Sequence, residues 1–398
     1  MNSYSIQHIL FYGLVVVNTC LLLLPLWSGG RIAQSGDVEL FRTAANHIVN
    51  ILNVIICFSL FLSIRRTNKL VLRSIIIISL MMLFSVLFNN ELNQLTVVVE
   101  FFLIYTTVFC CANTLAFSRF FFNALIVVLC VWSILPLLYL PIASTSDQIA
   151  MFSADLNSNG VSASFGGFAL HRNTYAFVAG LAFICCLMSD LKLLYKLLVV
   201  IVLSIGLFLS ASRGCILAVG LVVFIYYNKH LTFKQRLLFL LLFSAAIYLL
   251  FVFSSKTESR IFFDESTGRD DIYSLAFGEI LKSPILGFGK NILLDIGNED
   301  PSPVHNFILQ TWLDYGILAL VFFLFLLFKI FKMSNPKARV VLFYLLIVGF
   351  VQPYFTLSVP SEFTMISFFF IIYYNQQNIT TDYRENLILK SPSRSVNV

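Results

Sequence analysis

Four short polar groups stand out in a chain that is otherwise apolar. The first, Ser210-Ala211-Ser212-Arg213-Gly214, sits directly between two long apolar runs. An arginine in so short a turn either lays its stem along apolar surface with its head at the membrane boundary or folds into a cavity as an anion clamp. The second group is Gly268-Arg269-Asp270-Asp271, followed by Ile272 to Leu281 and then Lys282-Ser283-Pro284-Ile285-Leu286-Gly287-Phe288-Gly289. Apolar residues at helical spacing in the middle stretch predict an amphipathic helix lying on or over a membrane. Its start would present Arg269 and free backbone N–H groups to a phosphate. Asp270 and Asp271 read more simply as charges suited to a helix N-terminus. The third group, Pro303-Val304-His305-Asn306, immediately precedes another apolar run. The His305 imidazole can accept a proton near neutral pH, as a general base must, or it can simply hydrogen-bond the helix start. Asn306 has the plain reading of an N-cap. The fourth is His171-Arg172-Asn173, approached through Ser164-Phe165-Gly166-Gly167. Arg172 is either a further phosphate contact or a snorkelling anchor. Glu258, Arg260, Asp264, Glu265 and Glu362 read as solvated loop charges.

Taken together, Arg172, Arg213, Arg269 and His305 suit a doubly charged, lipid-attached anion. Guanidinium forks match phosphate oxygens and stabilise charge as a pyrophosphate departs. A weakly acidic acceptor, such as a sugar hydroxyl, needs a base, and His305 would supply it. Other chemistries lack their residues. The chain has no Gly-rich ATPase loop, no His-Glu-x-x-His and no Gly-x-Ser-x-Gly. Glu100 is the main acid expected within a span, too little for a proton relay.

The elements that must position these groups are membrane helices. Hydrophobic residues make up 59% of the 398 positions and charged residues 12%, against about 25% charged in soluble domains. The apolar runs are about twenty residues long, the length a helix needs to cross a hydrocarbon core. The expected class is all-α, a polytopic helical bundle of about 12 spans. The spans are expected to begin near residues 8, 45, 70, 94, 120, 172, 192, 213, 235, 306, 338 and 361. The first run lacks a basic leader and a small-residue cleavage site, so it is expected to be retained.

The net charge of +6 does not suggest nucleic acid, because the basic residues fall in short loops rather than on one surface. Arg65, Arg66, Lys69, Lys192, Lys196, Lys229, Lys234, Arg236, Lys329, Lys332, Lys337 and Arg339 all fall on one side if the spans alternate. The positive-inside rule makes that side cytoplasmic, together with both termini. The polar segments 144–171 and 254–305 and the Ser210–Gly214 turn then face outward. Residues 1–375 form the membrane domain, and 376–398 read as a polar, disordered tail. The eight cysteines lie in or beside apolar runs without metal-ligand spacing and read as packing residues.

A Ser-Arg-Gly turn between helices, a Gly-Arg leading into a helix, Pro-Ile-Leu-Gly-x-Gly, and His-Asn before a final helical block occur here in that order. This arrangement, over about residues 160–330, resembles the O-antigen ligase and O-antigen polymerase superfamily of integral membrane glycosyltransferases. The resemblance implies a glycan donor linked to undecaprenyl pyrophosphate at the periplasmic face of a bacterial inner membrane, with no metal and no nucleotide sugar. Ligases pass the glycan to a sugar of the lipid A-core, whereas polymerases pass it to another lipid-linked repeat unit. Other polysaccharide-assembly proteins are implied neighbours. By the same resemblance, Arg213 and Arg269 contact pyrophosphate, His305 is the base, and Ser212 and Asn306 support them. Arg172 and Asn173 correspond only loosely. One dominant outer loop, 254–305, beside the smaller 144–171 favours a ligase over a polymerase, whose outer loops are often of comparable size. A transporter or flippase for the same lipid-linked glycan would instead need polar residues through the depth of the bundle.

Overall fold

A computed structural model describes residues 3–23, 36–63, 69–111, 119–143, 151–157, 160–169, 172–210, 212–228, 232–238, 269–295, 303–351 and 364–376, with a few isolated positions besides. Helices follow the apolar runs. Before the first long polar segment come α1 (Ser3–Leu23), α2 (Gly36–Ser63), α3 (Lys69–Phe88), α4 (Leu95–Cys111) and α5 (Arg119–Tyr139). After it come α6 (Arg172–Met188), α7 (Leu193–Leu209) and α8 (Arg213–Tyr227). The remainder holds α9 (Arg269–Ile280), α10 (Phe307–Met333) and α11 (Pro336–Gly349), with α12 at 364–376. Most begin close to the expected positions; α1 and α2 begin earlier, at Ser3 and Gly36. The span expected near 235 lies mostly outside the described residues, as do 254–268 and the tail beyond 376.

Among the described residues, four helical stretches are long and apolar enough to cross a membrane: Lys69–Phe88, Leu92–Phe109, Arg119–Ile142 and Phe307–Met333. Ile6–Cys20, Ile48–Leu62, Arg172–Met188, Leu193–Leu209 and Arg213–Tyr227 are apolar but shorter. One departure from the all-helical expectation falls in the 144–171 segment. Phe152–Asn157 pairs antiparallel with Gly160–Phe165, placing Phe152 opposite Phe165. The sequence reason is local: Asn157-Ser158-Asn159-Gly160 is rich in turn formers, and Val161 to Phe165 alternates apolar with small residues at the strand period.

A helix that is apolar all round belongs in a core, and α12 is that helix. Met365, Ile366, Phe368, Phe369, Phe370, Ile371 and Ile372 are all buried. Its rings meet three other helices, through Phe11–Phe369 at 5.4 Å, Tyr105–Phe368 at 5.4 Å and Phe122–Tyr373 at 4.2 Å. Around this hub, α3 packs on α4 and α10, while α6 packs on α5, α7 and α8, and α11 closes against α8 and α6. A reciprocal amide pair, Asn18–Asn53, satisfies two buried polar side chains between α1 and α2 at 2.8 and 3.1 Å.

The two ends of the bundle differ. At one end, Lys196 Nζ donates to the Leu187 carbonyl at 3.2 Å and Lys337 Nζ to the Met188 carbonyl at 3.0 Å. Arg119 pairs with Asp190 at that end. At the opposite end α6, α8 and α10 begin.

Candidate functional site

Arg172, Arg213 and Arg269 are each the first residue of a helix, opening α6, α8 and α9. Ser212 occupies the N-cap position of α8 but makes no cap to that helix. Its hydroxyl instead donates to Asn173 Oδ1 at 3.0 Å, fastening the start of α8 to the start of α6. Arg213 is exposed, whereas Arg172 and Asn173 are partly buried. Next to Arg213, a Cβ on Gly214 would collide with the Val351 side chain, so the glycine lets the end of α11 close onto α8. Adjacent Phe350 meets Phe307 edge-on at 5.1 Å, and Phe307 opens α10 directly after His305-Asn306.

His305 is partly buried. Asn306 is the N-cap of α10, its Oδ1 accepting from Ile308 N at 2.9 Å and Leu309 N at 3.3 Å. From the far side Tyr273, one turn after Arg269 on α9, donates its hydroxyl to the His305 backbone carbonyl at 3.3 Å. Ser212 and Asn173 thus touch directly. The starts of α8, α9 and α10 are joined through Val351, Phe350, Phe307 and Tyr273. The Arg269 side chain and His171 lie outside what is described.

The helix expected after Arg269 is present, with Asp270 and Asp271 in its first turn. It departs from the expected amphipathic form. Ile272, Ala276 and Ile280 are buried against Leu294, Val304 and Leu313, yet Leu275 and Phe277 on the other faces are 42% and 49% exposed. The small core beneath α9 accounts for only one of its apolar stripes.

The Pro284–Gly289 stretch is a splint along a break in α10. Gly316 has φ 80° and ψ 172° inside the helix, a region only glycine adopts without strain. Phe288 N donates to the Leu313 carbonyl at 3.1 Å and Gly289 N to the Asp314 carbonyl at 2.7 Å, while Ile317 N donates to the Pro284 carbonyl at 3.1 Å. Backbone groups freed by the break are satisfied in this way. Trp312 Nε1 adds a bond to the Pro284 carbonyl at 2.9 Å. Ser85 Oγ donates to the Leu286 carbonyl, and Asn89 Nδ2 to that of Gly287 at 3.1 Å, tying the splint to the end of α3.

Three residues on these elements escaped the sequence reading. Tyr273 reads there as part of an apolar stripe. Gln310 and Asp314, one turn apart on α10, are fully buried. Among the described residues Asp314 is a fully buried acid within a membrane helix, whereas Glu100 is only partly buried. The available signal was the position of Asp314 within an apolar helix, eight residues beyond Asn306, where an ionisable group is costly and marks a site.

Residues 198–324 match the family model described as O-antigen ligase. The match supports the O-antigen ligase and polymerase superfamily, and with it a membrane protein with ligase- or polymerase-type glycan transfer in general. Arg213, Arg269, His305, Asn306, Gln310 and Asp314 fall inside the matched segment, and Arg172 and Asn173 fall before it. No curated protein gives a match.

Proposed function

We propose that this chain is an O-antigen ligase-type glycosyltransferase of the bacterial inner membrane. It takes a glycan from undecaprenyl pyrophosphate at the periplasmic face and passes it to a lipid A-core sugar. The observation that carries this reading is the gathering of helix starts at one end of the bundle: Ser212 bonded to Asn173, Gly214 closed on Val351, and Tyr273 bonded to His305. The basic end, with Lys196, Lys337 and Arg119, is cytoplasmic on the positive-inside rule, which turns the gathered starts outward. About 12 spans then leave both termini inside.

Arg213 and Arg269 hold the pyrophosphate, and Arg172 contributes from α6. His305 removes the proton from the acceptor hydroxyl as that oxygen attacks the anomeric carbon. The bond from that carbon to the pyrophosphate oxygen breaks, and undecaprenyl pyrophosphate leaves with the electron pair. The arginines stabilise charge that grows on the leaving group, where catalytic electrostatics is most effective. No step asks for a cofactor.

His305→Ala in a deletion strain tests this. The variant should be made in normal amount, leave the core bare and accumulate lipid-linked polymer. Full-length glycan on lipid A would remove His305 from the base role. A product carrying a single repeat unit would move the chain to the polymerase branch.

A further inference from the structure

Gln310 and Asp314 form a buried clamp whose purpose lies outside α10. Gln310 Oε1 accepts from the backbone N–H of Val304, the residue before His305, at 2.6 Å. Gln310 Nε2 donates to Asp314 Oδ1 at 2.7 Å, and to Asn291 Oδ1 and the Ile292 carbonyl at 3.1 Å each. Asp314 Oδ1 also accepts from Ile292 N at 3.0 Å. Two side chains therefore pin to the helix the chain on both sides of 293–303: 291–292 where it departs and 304 where it returns. With Tyr273 on the His305 carbonyl, the His305 backbone is held from both sides.

We propose that Gln310 and Asp314 are positioning residues for His305, fixing its backbone so that the imidazole meets the acceptor hydroxyl. This rests on His305 being the base. A plain helix–loop tie would accept any pair of polar side chains; this one has a defined donor–acceptor order. Val304 N–H needs an oxygen, Gln310 alone can offer both that oxygen and an N–H, and Asp314 receives the N–H. Both bonds to Asp314 land on Oδ1, while Oδ2 has no hydrogen-bond partner among the described residues. A carboxamide presents the same oxygen in the same place, so Asp314→Asn keeps the clamp. Gln310→Glu keeps an oxygen for Val304 but has no N–H for Asp314, and it sets two carboxyl groups against each other. Adding Asp314→Asn to Gln310→Glu removes the opposed carboxyl pair and, with the carboxamide turned so that Nδ2 stands where Oδ1 stood, restores a donor towards position 310; the Ile292 bond to that atom is given up, so the rescue is partial.

The test uses full-length protein purified in detergent. The donor is the lipid extract of the deletion strain, and the acceptor is the core lipopolysaccharide of the same strain. A misplacement of the order of 1 Å at a reacting group costs about 10²-fold in rate. Gln310→Glu is therefore expected to lose about 10²-fold in kcat with donor KM within about twofold. Asp314→Asn is expected to stay within about threefold of the parent, and Gln310→Glu with Asp314→Asn to regain about tenfold over Gln310→Glu. Amide exchange gives a readout independent of turnover: the peptide covering Val304–Asn306 should exchange faster in Gln310→Glu and return towards the parent in the double variant. Parental kcat in Gln310→Glu, or a double variant no better than the single one, overturns the positioning role if His305→Ala is inactive. An active His305→Ala fells the base reading itself, and the positioning role falls with it.

Discussion

Replacing Gly316 with alanine is the sharpest test of how α10 shapes the site. At φ 80° and ψ 172° a side chain is strained by about 1–3 kcal/mol before any contact is counted. The Cβ would also run into the Ile285 carbonyl, which lies directly against Gly316. The helix has two ways out, and both break the splint. Straightening α10 removes the backbone bonds of Phe288 with Leu313, Gly289 with Asp314 and Ile317 with Pro284, each worth about 1 kcal/mol net. Pushing Pro284–Gly289 away leaves residue 316 in its strained conformation and pulls the same three backbone bonds apart. Strain and lost bonds together come to about 4–6 kcal/mol. The expected result is a melting temperature in detergent lowered by many degrees, together with loss of glycan transfer in the deletion strain. Melting within a degree of the parent with full transfer would mean that α10 runs through residue 316 without a break, and the splint would be the wrong account of the Pro-Ile-Leu-Gly-x-Gly stretch.

Arg269→Lys should lower transfer about thirtyfold, equivalent to about 2 kcal/mol of transition-state stabilisation, because a point charge does not replace a bidentate fork; turnover with extracted donor measures it, and parental turnover would remove Arg269 from the pyrophosphate site. Ser212→Ala deletes the bond to Asn173 and should cost about 1 kcal/mol of stability, visible as a small drop in melting temperature that Asn173→Ala does not add to. Asn306→Ala should cost about 1 kcal/mol through the lost cap, whereas Asn306→Asp, which keeps the accepting oxygen, should hold; equal melting of the two variants would show that the cap does not matter.

The helix starts were legible because long apolar runs begin abruptly after Arg172, Arg213 and Asn306, and a single apolar run in hydrocarbon can satisfy its backbone within itself only as a helix. The hairpin at 152–165 was missed because two short strands of small polar residues carry a weak period beside twenty-residue runs. The limits of the site reading have a different cause. Motif order pointed to Arg213, Arg269 and His305, each flagged by its charge and its place at a helix end. Gln310 and Asp314 matter through donor and acceptor geometry with Val304 and Ile292, which only the fold creates. The Pro-Ile-Leu-Gly-x-Gly stretch read only as a motif of the resemblance, and its glycines serve α10: Gly287 and Gly289, at φ 65° and 70°, let the backbone lie against Gly316 and Ser85.

The placement of the arginines also carries its own argument. A cation on the first residue of a helix sits at the positive end of the helix dipole and is disfavoured there. Lys69 and Arg119 likewise open α3 and α5, but at the end of the bundle where Lys196 and Lys337 gather, the end that the proposed orientation turns to the cytoplasm, where positive charge is favoured. Arg172, Arg213 and Arg269 open helices at the other end. For Arg269, the following Asp270 and Asp271 supply negative charge within the same turn. For α6 and α8 the first turn holds no acidic residue at all, and Ser212 spends its hydroxyl on Asn173 rather than on the helix. On the proposed function, the starts of α6 and α8, fastened side by side by the Ser212–Asn173 bond, are two positive helix ends that face one bound anion. In that proposal the anion is the pyrophosphate of the donor, and the field of the two ends would do most for transfer as charge grows on the leaving group.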